Sequence, residues 1–206
     1  MKNTTLFAPL LCAALAIGML VSGCSGEKTP PVSSSEPAQS ENDGSTSTGT
    51  AAGLGSMKSF TAATLDGGSF TQDDIAGKDI TVVNYWSLMC GPCIAEMPDL
   101  AAFEKALPDN VRLVTVCLDG EGAEDIVTSV LSEAGYEGTT LLSGDGDYLE
   151  IWKNLQYTPT TVLVDSEGNL VGDAIIGGQE DLSGTFLAAV NAALKAGGKE
   201  EISLET

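Results

Sequence analysis

The chain of 206 residues has no histidine, and only 9 lysines and arginines stand against 29 aspartates and glutamates, a formal net charge of −20. The shortage of cations excludes nucleic acid as a partner, because affinity for it rests on Lys and Arg contacts to phosphate. It also means that an anionic lipid surface repels the protein, so any membrane attachment needs another source, while basic protein substrates are steered in. The lack of histidine bears on metals. A structural zinc ion takes four N or S ligands, and the cysteines, Cys12, Cys24, Cys90, Cys93 and Cys117, include one close pair and no second. No metal site is expected. Apolar runs are short as well: Leu6 to Val21 is about 16 residues, below the roughly 20 that span a bilayer.

What is present centres on Trp86-Ser87-Leu88-Met89-Cys90-Gly91-Pro92-Cys93. It follows a β-branched and aromatic run, Ile80 to Tyr85, and opens a helical pattern, so the order is strand, two cysteines, helix. Two residues between the cysteines put both sulfurs within one helical turn, where a disulfide can close. Cys90 falls where the first N–H groups of the helix have no partner, and those groups and the dipole favour a thiolate there. A thiolate is the nucleophile of disulfide exchange, so Cys90 is the natural attacking group and Cys93, one turn deeper, the resolving one. The same spacing serves zinc sites and inert disulfides. The first lacks ligands here, and a staple closing a loop this short restrains the unfolded chain little.

At these residues the sequence resembles the thioredoxin superfamily, and within it the membrane-anchored TlpA/ResA-like thiol-disulfide oxidoreductases. The resemblance spans about residues 58 to 196 and rests on Cys90-Gly91-Pro92-Cys93-Ile94-Ala95-Glu96-Met97-Pro98 and on Tyr157-Thr158-Pro159-Thr160-Thr161. It implies a redox-active Cys90–Cys93 disulfide with no other cofactor, and a cis peptide before Pro159. It also implies substrate contact at Gly91, Pro92, Thr158 and Pro159, and an active-site role for Glu96; Trp86 reads either as plain packing or, being close to the cysteines, as a flank of the site in contact with substrate. Read from spacing alone, Glu96 lies on the helix face of Cys93, where its carboxylate either compensates the dipole or raises the cysteine pKa values and relays a proton. Asn84 stands where thioredoxin has its buried aspartate, and Met89 where a tryptophan commonly precedes the first cysteine. Cys117, on an apolar strand, reads as a small core hydrophobe.

Lys2, the run to Val21 and the small residues Ser22 and Gly23 read as a signal peptide over 1–23. Val21-Ser22-Gly23-Cys24 resembles a bacterial lipobox, which implies lipid on Cys24 and a place on the extracytoplasmic face of a bacterial membrane. Residues 24–57, rich in Ser, Thr, Gly, Pro and acids, read as a lipid-anchored disordered linker. A thioredoxin-like domain is expected over 58–198 and an acidic C-terminal tail over 199–206.

Within the domain the pattern predicts a hairpin of 60–64 and 69–71, a strand over 80–86, a helix over 91–107 kinked at Pro98, and a buried strand over 111–118. It then predicts a helix facing inward through Ile126, Val127, Val130, Leu131 and Ala134, a strand over 139–142, a helix over 147–155, a hairpin of 160–165 and 170–176, and a helix inward through Leu182, Phe186, Val190 and Leu194. The fold class is α/β: a central mixed sheet flanked by helices, with an N-terminal β-hairpin and a helix-strand insertion that the TlpA/ResA-like branch has and thioredoxin lacks.

The resemblance implies a reductase of disulfides in exported proteins, such as apocytochrome c or methionine sulfoxide reductase, recharged by a membrane thiol-disulfide electron carrier. The alternatives are a peroxiredoxin-like thiol peroxidase, whose Pro-x-x-x-Thr-x-x-Cys loop is missing, and a non-catalytic binding lipoprotein, which leaves the cysteine pair unexplained. Copper delivery on this fold requires a histidine that the chain lacks.

Overall fold

Val, Ile, Thr and aromatic residues dominate 80–86 and 111–117, and in the computed structural model, which describes residues 49–205, both segments are central strands. In chain order the elements are β1 (Gly49–Thr50), a 3₁₀ turn (Ala51–Gly53), β2 (Thr61–Thr64), β3 (Ser69–Thr71), α1 (Gln72–Ala76), β4 (Ile80–Trp86) and α2 (Gly91–Lys105). Then come β5 (Val111–Cys117), α3 (Glu124–Ala134), β6 (Thr139–Gly144), α4 (Asp147–Asn154), β7 (Thr160–Asp165), β8 (Leu170–Ile176) and α5 (Leu182–Ala196). The signal peptide, Cys12, Cys24 and most of the expected linker lie outside the described residues.

The sheet has the order β1-β8-β7-β4-β5-β6-β2-β3. Only β4–β5 and β5–β6 pair in parallel, and the other neighbours are antiparallel, so the sheet is mixed. Every residue of β4 is buried, as suits a strand covered on both faces. Its side chains alternate. Ile80, Val82 and Trp86 join a core with Met97, Leu100 and Phe103 of α2 and Phe186 and Val190 of α5, where the Phe103 and Phe186 rings meet edge to face at 5.5 Å. Val83 and Tyr85 join a second core on the other face, with Met57, Phe60, Ile75, Tyr148 and Ile151.

Several expectations need correction. The composition puts 49–57 in the linker, but Gly49–Thr50 pair with Ala174 and Asp173 of β8, and Ala51 and Met57 are fully buried. Hydrogen bonds add to these contacts: the Met57 N–H donates to the Gly168 carbonyl at 2.8 Å, Asn154 Nδ2 to the Leu54 carbonyl at 3.0 Å and the Ser56 hydroxyl to Asp147 Oδ2 at 2.6 Å, so a segment whose composition looks like tether is fastened to the domain. The acidic tail is likewise fastened: Asn191 exchanges two hydrogen bonds with the Ile202 backbone, and the Glu205 N–H donates to the Ala106 carbonyl. Ile126 is 57% exposed, because α3 buries a narrow stripe through Val127 and Leu131. Helix α2 contains Pro98, as expected, and ends at Lys105 rather than at 107.

Candidate redox site

Strand β4 ends at the sheet edge where β5 also ends, and the chain turns there through Ser87, Leu88 and Met89 into α2. Cys90 is the N-cap of that helix, with extended backbone (φ −97°, ψ 98°), and its Sγ accepts the Cys93 N–H at 3.2 Å. A sulfur thus does what a capping hydroxyl or carboxylate usually does, which favours negative charge on it. Gly91 and Pro92 form the exposed first turn, where the missing N–H of proline costs no helical hydrogen bond. Cys90 and Cys93 are joined as a disulfide, with their Cα atoms 5.2 Å apart. Cys90 is half-buried and Cys93 fully buried, so an incoming group reaches Cys90 first.

The loop before β7 closes the other side. The Thr158 carbonyl oxygen lies 3.5 Å from Cys90 Sγ, the Thr158–Pro159 peptide is cis, and the Pro159 carbonyl accepts the Gly177 N–H at 2.8 Å. Thr158 is partly exposed, while Pro159 is buried beneath it. Gly178, in the turn after β8, sits where an added Cβ would come within 4 Å of Glu96 Oε2 and Pro92 Cβ. That turn is a wall of the site that the sequence reading did not single out.

Glu96 is turned inward and is 6% exposed. Its Oε1 accepts Asn84 Nδ2 at 3.2 Å, and the same amide nitrogen donates to Thr161 Oγ1 at 3.0 Å. Glu96 Oε2 and Asn84 Oδ1 are buried without a protein partner. Burial pushes the Glu96 carboxyl up to about 7, against smaller opposite pulls from the Asn84 amide and the Gln179 backbone. An acid of that kind, one turn after Cys93 and on the buried side of the same helix, can hold or release a proton near neutral pH.

Trp86, expected to touch substrate, does not reach the surface: it is fully buried. It shares the inward face of β4 with Val82 and packs in the same core as Cys93 and the α2 side chains Met97 and Leu100, beneath the site rather than on its surface. The exposed apolar side chains near the pair are instead Met89 at 89%, Tyr157 at 64% and Ile94 at 38%. Met89 and Ile94 flank the cysteines directly, and Tyr157 precedes Thr158. Among the described residues no group of three acidic, cysteine or histidine side chains is placed to hold a metal ion.

A sulfur at a helix N-cap, joined to a buried partner one turn on and set at the end of a central parallel strand, defines the thioredoxin-like class of fold and site. The family model described as Redoxin matches residues 49–183, and the chain belongs to the Redoxin family. It is 28% identical over 114 residues to a thioredoxin-like protein of Haemophilus influenzae, an alignment covering 55% of this chain and 65% of that one. To the sporulation thiol-disulfide oxidoreductase A of Bacillus subtilis it is 27% identical over 111 residues, covering 49% of this chain and 67% of the relative. The chain therefore spans less than two thirds of the Haemophilus relative. Among solved structures, the thioredoxin domain of a thiol-disulfide oxidoreductase from Bacteroides vulgatus superposes with a TM-score of 0.53 at 25% identity, over 67% of this chain and 98% of that one.

Proposed function

We propose that this protein is a thiol-disulfide oxidoreductase that reduces disulfides in exported proteins. The observation that carries the reading is the Cys93 N–H directed at Cys90 Sγ on the accessible end of α2, with the second sulfur buried behind it. In the reduced protein the Cys90 thiolate attacks one sulfur of a substrate disulfide, forming a mixed disulfide and expelling the other sulfur as a thiolate. Cys93 then gives up its proton and attacks Cys90 Sγ, which releases the second substrate thiol and leaves Cys90–Cys93 oxidised. Two electrons pass to the substrate. Glu96, with its acid poised near 7, is the group placed to take the Cys93 proton, since Asn84 cannot. A thiol donor returns the pair to the dithiol, and a membrane thiol-disulfide carrier suits that task.

Direction is supported by Gly91-Pro92, which matches thioredoxin, and by the Glu96 carboxyl, whose charge opposes the extra thiolate stability a strong oxidant needs. Thioredoxin lies near −270 mV and strong oxidants near −120 mV, so roughly 150 mV separates the two tasks. The purified protein equilibrated with glutathione poised at about −180 mV should therefore hold its pair mostly as the disulfide. A mostly reduced pair there would reverse the assignment and make disulfide formation its task. Apocytochrome c and methionine sulfoxide reductase are substrates of the right class.

Lipid on Cys24 is part of the same proposal, supported by Val21-Ser22-Gly23-Cys24 after the apolar run. Cys24→Ala should move the protein from the membrane to the soluble fraction and remove the mass of the lipid. Unchanged fractionation and mass would end the lipoprotein reading.

A further inference from the structure

The loop that delivers Cys90 is held from outside by one carboxylate. Asp119 follows β5 by two residues, and its Oδ2 accepts the Ser87 hydroxyl at 2.8 Å while its Oδ1 accepts the Leu88 N–H at 2.8 Å. Ser87 passes this on: its Oγ accepts the Met89 N–H at 3.1 Å, and its carbonyl accepts the Cys90 N–H at 3.1 Å. The Leu118 N–H to the Trp86 carbonyl, at 2.9 Å, ties the same two loops one step earlier. The buried thiol of Cys117 also points at Asp119 Oδ1, at 3.5 Å. Three donors thus converge on one carboxylate. Gly120 lets the turn close, since an added Cβ would lie 2.7 Å from Leu142 Cδ2 and 3.0 Å from Cys117 Cβ. Burial pushes the Asp119 carboxyl up, but the Leu88 N–H, the Ser87 hydroxyl and the Cys117 thiol outweigh it and keep the group ionised below the usual carboxylate range.

We propose that Asp119 is a positioning residue of the redox site: its carboxylate fixes Ser87 and Leu88 so that Cys90 Sγ stays on the α2 N-terminus, and its negative charge disfavours the Cys90 thiolate, keeping the pair reducing. The inference rests on the thiol-disulfide reading given above. Unlike simple loop bracing, the carboxylate has two separable effects. The geometric one is that removing the acceptor lets Ser87 to Cys90 wander, which slows attack. The electrostatic one is that removing only the charge shifts the equilibrium between dithiol and disulfide.

Asp119→Ala and Asp119→Asn separate them. The asparagine oxygen can still accept the Leu88 N–H, and its amide can donate to Ser87 Oγ, so the loop is held without the charge. With full-length protein, two quantities are read: the rate constant for reaction of the reduced pair with a peptide disulfide, and the ratio of reduced to oxidised pair in a glutathione buffer. Asp119→Asn should keep the rate within about twofold and raise the ratio of reduced to oxidised pair about fivefold, the scale of one charge interacting across a partly solvated site. Asp119→Ala should show the same shift in the ratio and a further loss of about tenfold in rate from the misplaced nucleophile. If Asp119→Asn leaves the ratio unchanged, or if Asp119→Ala only lowers the melting temperature while folded protein reacts at the wild-type rate, the proposal is overturned. A wild-type protein that reacts with no disulfide would instead refute the functional reading. Should Asp119→Ala not fold, the Asp119→Asn ratio decides.

Discussion

Cys90 and Cys117 lie close to the same end of two neighbouring parallel strands, yet their sulfurs are chemically opposite. Trp86, the last residue of β4, pairs in register with Cys117, the last of β5. Past Trp86 the chain turns outward, and four residues later a half-exposed sulfur caps a helix with an N–H aimed at it. Cys117 keeps its side chain inside the layer, fully buried, where burial pushes the thiol up to about 12. Residue type is the same. What differs is whether the sulfur meets unpaired backbone donors and water, or apolar side chains and the Asp119 carboxylate, which accepts its proton and repels its anion.

The largest effect that could break this comparison is on turnover. Cys90→Ser should lower reduction of a protein disulfide at least about a thousandfold, because no other nucleophile replaces the thiolate, whereas Cys117→Ala should leave it within about twofold. A loss of activity in Cys117→Ala would mean that the strand thiol takes part. Labelling sharpens the contrast. With its thiol near 12, only about one Cys117 in 10⁵ is a thiolate at neutral pH. Iodoacetamide added to the reduced, folded protein should mark Cys90 first, Cys93 later, and Cys117 only after denaturant, read by peptide mass. Early labelling of Cys117 or Cys93 would reverse the roles assigned here.

The parts legible in the sequence are those with a strong local cause. The runs at 80–86, 160–165 and 170–176 are strands with the expected ends, because β-branched and aromatic residues fill them and turn residues bound them. The Cys-x-x-Cys pair was legible for the same reason: its chemistry follows from sitting just after a strand and opening a helix. Short elements held by distant partners were not. Helix α1 spans only Gln72–Ala76 and is secured by one buried side chain, Ile75, and a capping box between Thr71 and Asp74. Closeness to Cys90 in sequence does not make Trp86 accessible: it is fully buried in the core that also holds Cys93. Its even-numbered parity with Ile80 and Val82 already puts it on the core face of the strand. Asp119 gave no local signal, since its partners Ser87 and Leu88 lie 32 and 31 residues earlier in the chain.

The smallest effect concerns Glu96, which lies on the helix that turns Cys90 outward but is itself directed inward, as Cys117 is. Its carboxyl titrates near 4.5 in an open chain and is pushed up to about 7 by burial in the fold. Between those two values the unfolded chain has released this proton and the folded protein still holds it. The unfolded state then binds fewer protons, so this group's contribution makes stability fall as pH rises through the window, and above about 7 the penalty is constant. Undiscounted, the shift corresponds to about 3 kcal/mol, and solvent access at the site reduces it to about 1–2 kcal/mol. Glu96→Gln removes the charge and keeps an oxygen for the Asn84 amide. Urea unfolding of the oxidised protein should thus find the variant level with wild type at about pH 4 and more stable by about 1–2 kcal/mol at about pH 8. The same difference at both pH values would show that Glu96 is not a buried acid, and the proton transfer from Cys93 assigned to it would fall with that result.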